Sequence, residues 1–183
     1  YIMPHQFIVS EEREQLYLRD MATNSILVYS LKNFGFVKKM SIPFYATCFE
    51  LLDNERFIWY VNSGLQNEGD FRKHIQITDM DCNPVSSFMD VMGMPQRGMY
   101  NVMSYFEKHD NDVFFHHPFS GDYYSCSMEN SEVLEFAYSL KFEGMPFPEL
   151  DYIMEHRDNI VKDLEAERYI QWCDVLKNSS TYL

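Results

Sequence analysis

The chain lacks the marks of several common protein classes. None of its apolar runs approaches the ~20 residues that a helix needs to span a bilayer, and no signal-peptide pattern opens it. It begins on Tyr1 and not on Met, as a processed or trimmed chain would, so a targeting signal at a missing N-terminus would not be visible. It has no glycine-rich phosphate loop, and the absence of a GxSxG elbow leaves Ser120 without support as a nucleophile.

Cysteines and basic residues are few. Cys48, Cys82, Cys126 and Cys173 form no CxxC or Cys/His pair at zinc-ligand spacing, so we expect buried free thiols and no structural zinc site. The chain has 15 basic and 28 acidic residues, and the resulting net charge of −13 disfavours binding to nucleic acid. We interpret the acidity as a solubilising surface, with calcium or a cationic ligand as the alternative.

Aromatic residues, by contrast, are abundant. The chain has 15 Phe, 13 Tyr and 2 Trp among its 183 residues, and hydrophobic residues make up 46% of it. Aromatic side chains fit the pleated, half-buried surfaces of β-sheets. This composition predicts a single β-rich domain with a sizeable core.

The first repeat unit, over about residues 5–42, has the pattern of a four-stranded meander. Its runs HQFIVS, QLYLRD, SILVYS and GFVKKM are separated by polar or turn segments. The alternation at Leu16 and Leu18 is the period-2 signal of a half-buried strand. Asn24, Asn33 and Gly35 lie in the turns, where a residue tolerant of positive φ is expected.

Two further units repeat this order over about residues 45–92 and 99–142. RFIWYV and HIQITD take the places of QLYLRD and SILVYS in the second unit, as VFFHH and DYYSCS do in the third. Equivalent places in the three units are held by Leu16, Phe57 and Val113. The polar stretch 63–72 is an insertion, which in repeat folds often lies on the binding rim. Three such units are typical of β-propeller blades.

The pattern changes after the third unit. Apolar residues at helical spacing predict an amphipathic helix from Glu149 to Glu167, packed on the blades. Residues 169–183 then resume the strand pattern as a partial fourth blade, with a first strand at 169–175, a turn at 176–180 and a second strand from Thr181. A strand pair cut off there would leave an exposed edge. We therefore expect a segment of a longer propeller, or strands supplied by another chain.

Several motifs also carry a family resemblance. They are LYLRD followed by SILVYS and GFVKKM, then LLDNERFIWY, and finally HHPFSGDYYSC. The chain resembles the six-bladed β-propeller proteins of gut-dwelling anaerobic bacteria, distant relatives of the NHL-repeat propellers. The last motif is similar to that group's pFSdtIYs signature at Phe119, Ser120, Asp122 and Tyr124, and departs from it at Gly121. The resemblance implies an exported cell-envelope protein, in the periplasm or at the outer membrane and often lipid-anchored, without an established enzymatic role.

Two histidines are the first candidates for a functional site. His116 and His117 lie close to His109, which suggests a metal site. Adjacent residues of a strand point to opposite faces, however, so the pair cannot hold one ion from a regular strand. We therefore predict no metal site and keep both residues as candidates for ligand binding.

Aromatic and acidic residues are the other candidates. Trp59, Tyr60, Tyr123 and Tyr124 lie on strands or at their ends, where we expect some to reach a rim or the central channel and bind sugars or peptides. Packing between blades is the other interpretation, and it is the one that the sequence favours. Asp20 ends its strand, where a carboxylate accepts hydrogen bonds from the following turn.

The sequence thus predicts an all-β propeller segment with three four-stranded antiparallel blades, the start of a fourth and one inserted α-helix. Its predicted function is a non-enzymatic binding or scaffolding module of the bacterial cell envelope. It needs no cofactor and uses rim loops and the candidates Trp59, Tyr60, His116 and His117 for a glycan, peptide or protein ligand. Two alternatives stay open. One is a hydrolase or lyase acting on glycans or peptides in the central channel, and the other is a homodimer in which two half-rings close one propeller.

Overall fold

The computed structural model describes residues 2–53, 55–61, 73–90, 106–116, 120–130, 133–144, 146–147, 152, 155, 177–178 and 181–182. These residues contain fourteen β-strands, so the predicted all-β class is confirmed. Within these ranges no helix is long and apolar enough to cross a membrane.

Twelve of the strands form three four-stranded antiparallel sheets, each in consecutive strand order. Sheet 1 contains β1 (Pro4–Ser10), β2 (Gln15–Asp20), β3 (Ser25–Ser30) and β4 (Phe36–Ser41). Sheet 2 contains β5 (Cys48–Leu51), β6 (Arg56–Tyr60), β7 (Lys73–Asp79) and β8 (Pro84–Asp90). Sheet 3 contains β9 (Glu107–His109), β10 (Asp112–His116), β11 (Asp122–Ser127) and β12 (Leu134–Ser139). A separate pair joins β13 (Lys177–Asn178) to β14 (Thr181–Tyr182).

The three sheets stack face to face, and sheet 2 is covered on both sides. We call the face of a sheet that points towards the preceding sheet in the chain its upstream face. The face that points towards the following sheet is its downstream face. In β6, Phe57 and Trp59 enter the core shared with sheet 1, whereas Ile58 and Tyr60 enter the core shared with sheet 3. Because successive side chains of a strand alternate between faces, a strand buried on both sides is a continuous apolar run. This explains the sequence RFIWYV.

Each interface between sheets has its own apolar core. Sheet 1 contributes Ile8, Tyr17, Ile26, Val28 and Met40 to the first core. From sheet 2, that core receives Phe49, Leu51, Phe57, Trp59 and Cys82. The second core joins Cys48, Ile58, Tyr60, Ile75 and Ile77 of sheet 2 to Phe106, Val113, Phe115 and Cys126.

The first strands of neighbouring sheets lie side by side. Gln6 Nε2 on β1 donates a hydrogen bond to the Phe49 carbonyl oxygen at 2.7 Å, and Phe49 N donates to Gln6 Oε1 at 3.0 Å. Lys108 Nζ on β9 donates to the Leu51 carbonyl oxygen at 3.2 Å. First strands gathered in this way are the innermost strands of propeller blades. The sheets therefore have the arrangement of a propeller segment, as the repeat pattern predicted.

Two predicted C-terminal elements lie largely outside the described residues. Of the predicted helix over 149–167, only Tyr152 and Glu155 are described, so the helix stays a prediction. The predicted strand at 169–175 lies outside the described residues. At the end of the chain, Lys177 and Asn178 form β13, where the sequence predicted part of a turn. They pair with Tyr182 and Thr181, so the turn is shorter than predicted.

The tight turns agree with the sequence at one position and correct it at another. Asn24 has a φ of +47°, as predicted for the turn between β2 and β3. Between β3 and β4, however, it is Phe34 and not Gly35 that has a positive φ, at +53°. Phe34 N donates to the Ser30 carbonyl oxygen, and Ser30 N donates to the Gly35 carbonyl oxygen, both at 2.9 Å. These two bonds close the turn around Phe34.

Candidate functional site

The two ends of the sheets differ in the length of their connections. In a meander, the first-to-second and third-to-fourth turns share one end, and the remaining connections share the other. Of the described residues, the turn end carries 11–14, 31–35, 52–53, 55, 80–83, 110–111, 128–130 and 133. The loop end carries 21–24, 42–47, 61, 106 and 120–121. The two longest connections therefore start and finish at the loop end, although 62–72 and 91–105 lie outside the described residues.

Asp20 organises the loop end of sheet 1. Its buried carboxylate accepts hydrogen bonds at Oδ1 from Met3 N at 2.9 Å and Ala22 N at 3.1 Å, and at Oδ2 from the Thr23 hydroxyl at 2.5 Å. The Thr23 hydroxyl, followed by the Met3 N–H, holds the pKa of Asp20 below its usual value. The predicted turn-stabilising role of Asp20 is confirmed.

Arg19 joins two loop-end connections to each other. Its buried guanidinium donates from Nη2 to Asn24 Oδ1 at 2.8 Å and to the Ala46 carbonyl oxygen at 3.3 Å. Asn24 Nδ2 donates in turn to the carbonyl oxygens of Ile42 at 2.9 Å and Phe44 at 3.0 Å. Burial lowers the pKa of Arg19 to about 10, so the side chain keeps its charge at neutral pH. The turn between β2 and β3 and the connection between β4 and β5 thus form one hydrogen-bonded unit.

Four exposed apolar side chains belong to the β2–β3 turn, the β4–β5 connection and the residues before β1. We call Ile2, Met3, Met21 and Tyr45 the loop-end patch, and Tyr45 is 55% exposed. Met21 N donates to the Met3 carbonyl oxygen at 3.0 Å, which fixes two members of the patch to each other. Tyr and Met are enriched at the centres of protein interfaces. The loop-end patch therefore combines exposed apolar side chains with a hydrogen-bonded backbone at Met3 and Met21.

The predicted aromatic binding residues of sheet 2 are buried. Trp59 is 0% exposed and Tyr60 is 1% exposed. Trp59 Nε1 donates to Thr78 Oγ1 at 2.8 Å, and its ring stacks on Phe49 at 5.3 Å between centroids. The Tyr60 ring stacks on His74 at 5.7 Å. The prediction that these two rings bind a ligand at a rim or in the channel was wrong, because sheets 1 and 3 cover them. Both rings pack between blades instead.

The histidine pair is only partly described. His116 lies at the end of β10, where its backbone pairs with Tyr123. His117 lies outside the described residues, so a joint role of the two stays a prediction. Among the residues that are described, no three His, Cys, Asp or Glu side chains come together as a metal site would require. The Ser120 hydroxyl accepts a hydrogen bond from Asp122 N at 3.0 Å, which is a turn contact.

The other two candidate tyrosines and the three described cysteines pack within and between the sheets. Tyr123 is buried and stacks on Tyr138 at 4.8 Å, while the half-buried Tyr124 stacks on Phe115 at 6.2 Å. Cys48, Cys82 and Cys126 are free and buried, as predicted. Burial raises the pKa of Cys82 to about 12 and that of Cys126 to about 11, which keeps both thiols protonated.

One carboxyl group on the innermost strands has an altered pKa. Glu50 on β5 is half-buried, and burial raises the pKa of its carboxyl group. Its Oε1 accepts a hydrogen bond from Leu51 N at 2.9 Å, and the charge of Lys108 acts against the upward shift. A carboxyl group of this kind is what a general acid needs. The charged neighbour that acts on it is a lysine and not a second carboxylate.

The repeat arrangement of the sheets is matched by a family model over the whole chain. That family, DUF5128, is described as a 6-bladed beta-propeller, and its model matches residues 1–183. The chain belongs to this six-bladed β-propeller family. The family predicted from the sequence motifs is thereby confirmed. Because the description names a fold, the activity of this family member has to be inferred from its own residues.

A solved structure agrees with the fold. The chain is similar to a candidate exported protein of Bacteroides fragilis NCTC 9343, with a TM-score of 0.81 and 21% identity over 98% of this chain and 50% of that one. It therefore spans about half the length of this relative. KlHsv2 with loop 6CD replaced by a Gly-Ser linker has a TM-score of 0.44 and 9% identity, over 72% of this chain and 38% of that one. No curated protein matches the sequence.

Sequence reasoning missed the residues that build the loop-end patch of this family member. Arg19 breaks an otherwise apolar strand, and a charged residue inside a core-forming strand is a signal that its partners are nearby. Those partners, Asn24 and the carbonyl of Ala46, come from different connections and are not visible as a motif. Tyr45 follows Phe44 in the chain, and the sequence does not say which of the two is buried.

We expect Asp20→Asn to lower the free energy of unfolding by about 1 to 3 kcal/mol at pH 7, because an amide has one acceptor oxygen in place of two. The folded-state pKa of Asp20 is depressed, so its contribution is full above the ordinary aspartate pKa of roughly 4 and is lost as the pH falls through the folded value. Urea unfolding of both proteins at pH 7 and at pH 3 measures the difference, which should shrink at the lower pH.

The exposed Asp81 provides the matched control, since its ion pair with Lys38 lies at the surface. Asp81→Asn should change stability by less than about 0.5 kcal/mol at either pH. An equal effect of the two substitutions would contradict the anchoring role of Asp20.

Proposed function

We propose that the chain is part of an exported propeller that binds an apolar stretch of a peptide or protein at its loop end. The observation that carries this proposal is the loop-end patch, whose apolar side chains stand on a backbone fixed by Asp20, Arg19 and Asn24. A surface that is already ordered loses little conformational entropy on binding. The chain acts as a binding or scaffolding module.

A peptide or protein fits the patch better than a glycan does. Sugar recognition needs polar groups that pair with hydroxyls beside an aromatic ring. In the described part of the loop end, the polar groups of Asp20 and Asn24 are engaged with the backbone and with Thr23 and Arg19. The patch offers apolar contact area, which favours apolar side chains of a partner. The net charge of −13 favours a partner with basic flanks.

The proposed location is outside the cytoplasm, in the periplasm or at the outer membrane. It is supported by the family resemblance of the motifs and by the similar Bacteroides fragilis structure, which is described as a candidate exported protein. A lipid anchor, which the resemblance implies, belongs to the same proposal.

The second candidate function is a hydrolase or lyase acting in the central channel, and the observation that favours it is Glu50. Its raised pKa suits a general acid on one of the innermost strands. A hydrolytic pair would need a second group to activate water or attack the substrate. The described neighbour Lys108 donates to the backbone, so this candidate ranks below binding.

The proposal is tested on arrays of immobilised peptides and glycans, probed with the labelled protein. We expect binding to peptides that combine apolar and basic residues, and a loss of at least about tenfold in affinity for the double variant Met21→Ser, Tyr45→Ser, as for a central interface residue. The variant Val85→Ser, Phe136→Ser is the control, because it removes exposed apolar residues from β8 and β12 instead.

The outcomes separate the candidate functions. The proposal would be contradicted if the double variant Met21→Ser, Tyr45→Ser bound as tightly as the parent protein. It would also be contradicted if the protein bound to neither the peptide array nor the glycan array. Mass spectrometry of the arrayed compounds after incubation tests the second candidate. Cleavage that is lost in Glu50→Gln would establish an enzyme in place of a binding module.

A further inference from the structure

Two of the four residues in the loop-end patch are methionines. Met3 is 47% exposed and Met21 is 38% exposed. A peroxide oxidises the thioether sulfur of methionine to a sulfoxide, whereas the aliphatic side chain of the neighbouring Ile2 has no group that reacts in this way. The two thioethers are therefore positions at which the chemistry of the patch can change after the protein has folded.

The other methionines in the described part of the chain are covered. Met40 lies on the downstream face of sheet 1 and is 6% exposed, in the core shared with sheet 2. Met80 is half-buried and packs against the same core, while Met89 and Met128 are half-buried against the core between sheets 2 and 3. Oxidation depends on access of the oxidant to the sulfur. A peroxide therefore reaches the two methionines of the patch before these four.

The described cysteines are poor targets for the same oxidant. Cys48, Cys82 and Cys126 are free thiols, but all three are buried. A peroxide reacts with the thiolate and not with the thiol, and burial raises the pKa of Cys82 to about 12 and that of Cys126 to about 11. Both side chains therefore stay protonated at neutral pH. On the described surface, the exposed methionines are the sulfur atoms that a peroxide meets first.

Main-chain hydrogen bonds hold the two methionines beside each other. Met3 N donates to Asp20 Oδ1 at 2.9 Å, and Met21 N donates to the Met3 carbonyl oxygen at 3.0 Å. Neither bond uses a sulfur atom. Oxidation of the thioethers therefore leaves both bonds in place, and the sulfoxides remain at the same positions in the patch.

Oxidation changes the patch from an apolar surface to a partly polar one. A sulfoxide oxygen accepts hydrogen bonds and is hydrated in water, whereas the thioether is apolar. Covering that oxygen with an apolar side chain of a partner would remove its water without supplying a donor, which costs free energy. Because two of the four side chains of the patch are affected, the loss falls on half of its members.

We propose that Met3 and Met21 are a redox-sensitive modification site, where oxidation by a peroxide releases the partner from the loop-end patch. This inference rests on the proposed function, because it concerns the regulation of the same surface. In the reaction an S–O bond forms and the O–O bond of hydrogen peroxide breaks, so that one oxygen atom joins the sulfur and the other leaves as water. Each sulfur loses two electrons, which the peroxide gains. Sulfoxide reductases reverse the step and return the patch to its apolar state.

The test maps oxidation and measures binding on the same samples. The protein is treated with hydrogen peroxide, the excess is destroyed with catalase, and each methionine is followed by peptide mass spectrometry. The binding probe is the tightest-binding array peptide that is built only of Leu, Ile, Lys and Arg, which contains no sulfur. We expect Met3 and Met21 to be oxidised while Met40 stays reduced, and the dissociation constant to rise at least about tenfold. Methionine sulfoxide reductase should restore the starting value, and the urea midpoint should not change.

Three double variants identify the sulfur atoms that are responsible, and each is compared with itself before and after peroxide. Met3→Leu, Met21→Leu removes both targets, so treatment should change its dissociation constant less than about twofold. The matched control Met80→Leu, Met128→Leu removes two half-buried methionines and should lose affinity on treatment as the parent does. Met3→Gln, Met21→Gln introduces polar groups of similar length, and the untreated variant should bind as weakly as the oxidised parent.

The outcomes decide the modification site and its effect separately. An equal loss of affinity on treatment in Met3→Leu, Met21→Leu and in the parent would overturn the proposal, and so would oxidation of Met40 as fast as that of Met21. A fall of the urea midpoint in step with the loss of binding would also overturn it, because the cause would then be unfolding. If the untreated protein bound no peptide, the proposed function would fail and the release of a partner with it, whereas the oxidation map would still decide whether Met3 and Met21 are the modification site.

Discussion

Replacing Trp59 by Ala is expected to lower the free energy of unfolding by about 3 to 5 kcal/mol. The indole is 0% exposed and contacts the rings of Phe44, Phe49 and Phe57, at 5.7, 5.3 and 5.5 Å between centroids. Its removal leaves a cavity in the core between sheets 1 and 2. Small domains have a total stability of about 5 to 15 kcal/mol, so the loss is a large share of it. Urea unfolding followed by far-ultraviolet circular dichroism measures it.

Two milder substitutions separate the contribution of ring packing from that of the indole hydrogen bond. Trp59→Phe keeps most of the ring contacts but leaves Thr78 without its indole donor. Thr78→Val removes the acceptor of the 2.8 Å bond and leaves the indole N–H unpaired, which should cost about 1 to 3 kcal/mol. If Trp59→Ala cost less than Thr78→Val, the ring would not be a packing centre, and the exposure first expected from the sequence would have to be reconsidered.

Gly121→Ala is expected to destabilise the protein by about 2 to 3 kcal/mol, because the new methyl group has no room. A Cβ at this position would overlap the Leu140 carbonyl oxygen and would lie 2.7 Å from Phe147 Cε2. The Gly121 carbonyl oxygen also accepts a hydrogen bond from Leu140 N at 2.8 Å, so the two backbones cannot separate without breaking it. Thermal and urea unfolding both report the change.

The control for this prediction is Gly35→Ala. There the added Cβ would approach a flexible side-chain atom, Asn33 Oδ1, at 3.0 Å, and the cost should stay below about 1 kcal/mol. Phe147→Ala should not rescue Gly121→Ala, since the closer contact is with backbone. Full rescue would contradict the steric account and would assign the effect to the ring of Phe147.

The departure from the family signature at Gly121 thus has a structural explanation. The sequence showed only that a glycine stood where the signature has another residue. The close approach of the chain at Leu140 and Phe147, some 20 residues later, makes the absence of a side chain necessary. Nothing local to PFSGDYY encodes that contact.

The candidate site shows the same division between local and distant information. The role of Asp20 was predictable because two of its partners, Ala22 and Thr23, lie in the turn that follows it, and a carboxylate at a strand end caps the next turn. The burial of Trp59 and Tyr60 had a signal as well, since RFIWYV is a continuous apolar run and such runs are covered on both faces. The patch at Met21 and Tyr45 had none, because the bonds that fix it join residues far apart in the chain.

The sequence by itself determined the strands, the meander order and the propeller class of this protein. These features depend on alternation over a few residues and on its repetition along the chain, both of which are local. The tertiary structure decided which aromatic rings are buried, which glycine has no room for a side chain and which apolar residues of sheet 1 are exposed. Those outcomes depend on contacts between residues far apart in the chain, such as that of Gln6 with Phe49, whose partners lie 43 residues apart. Strand patterns cannot encode them, because the same alternation serves a covered face and an open one.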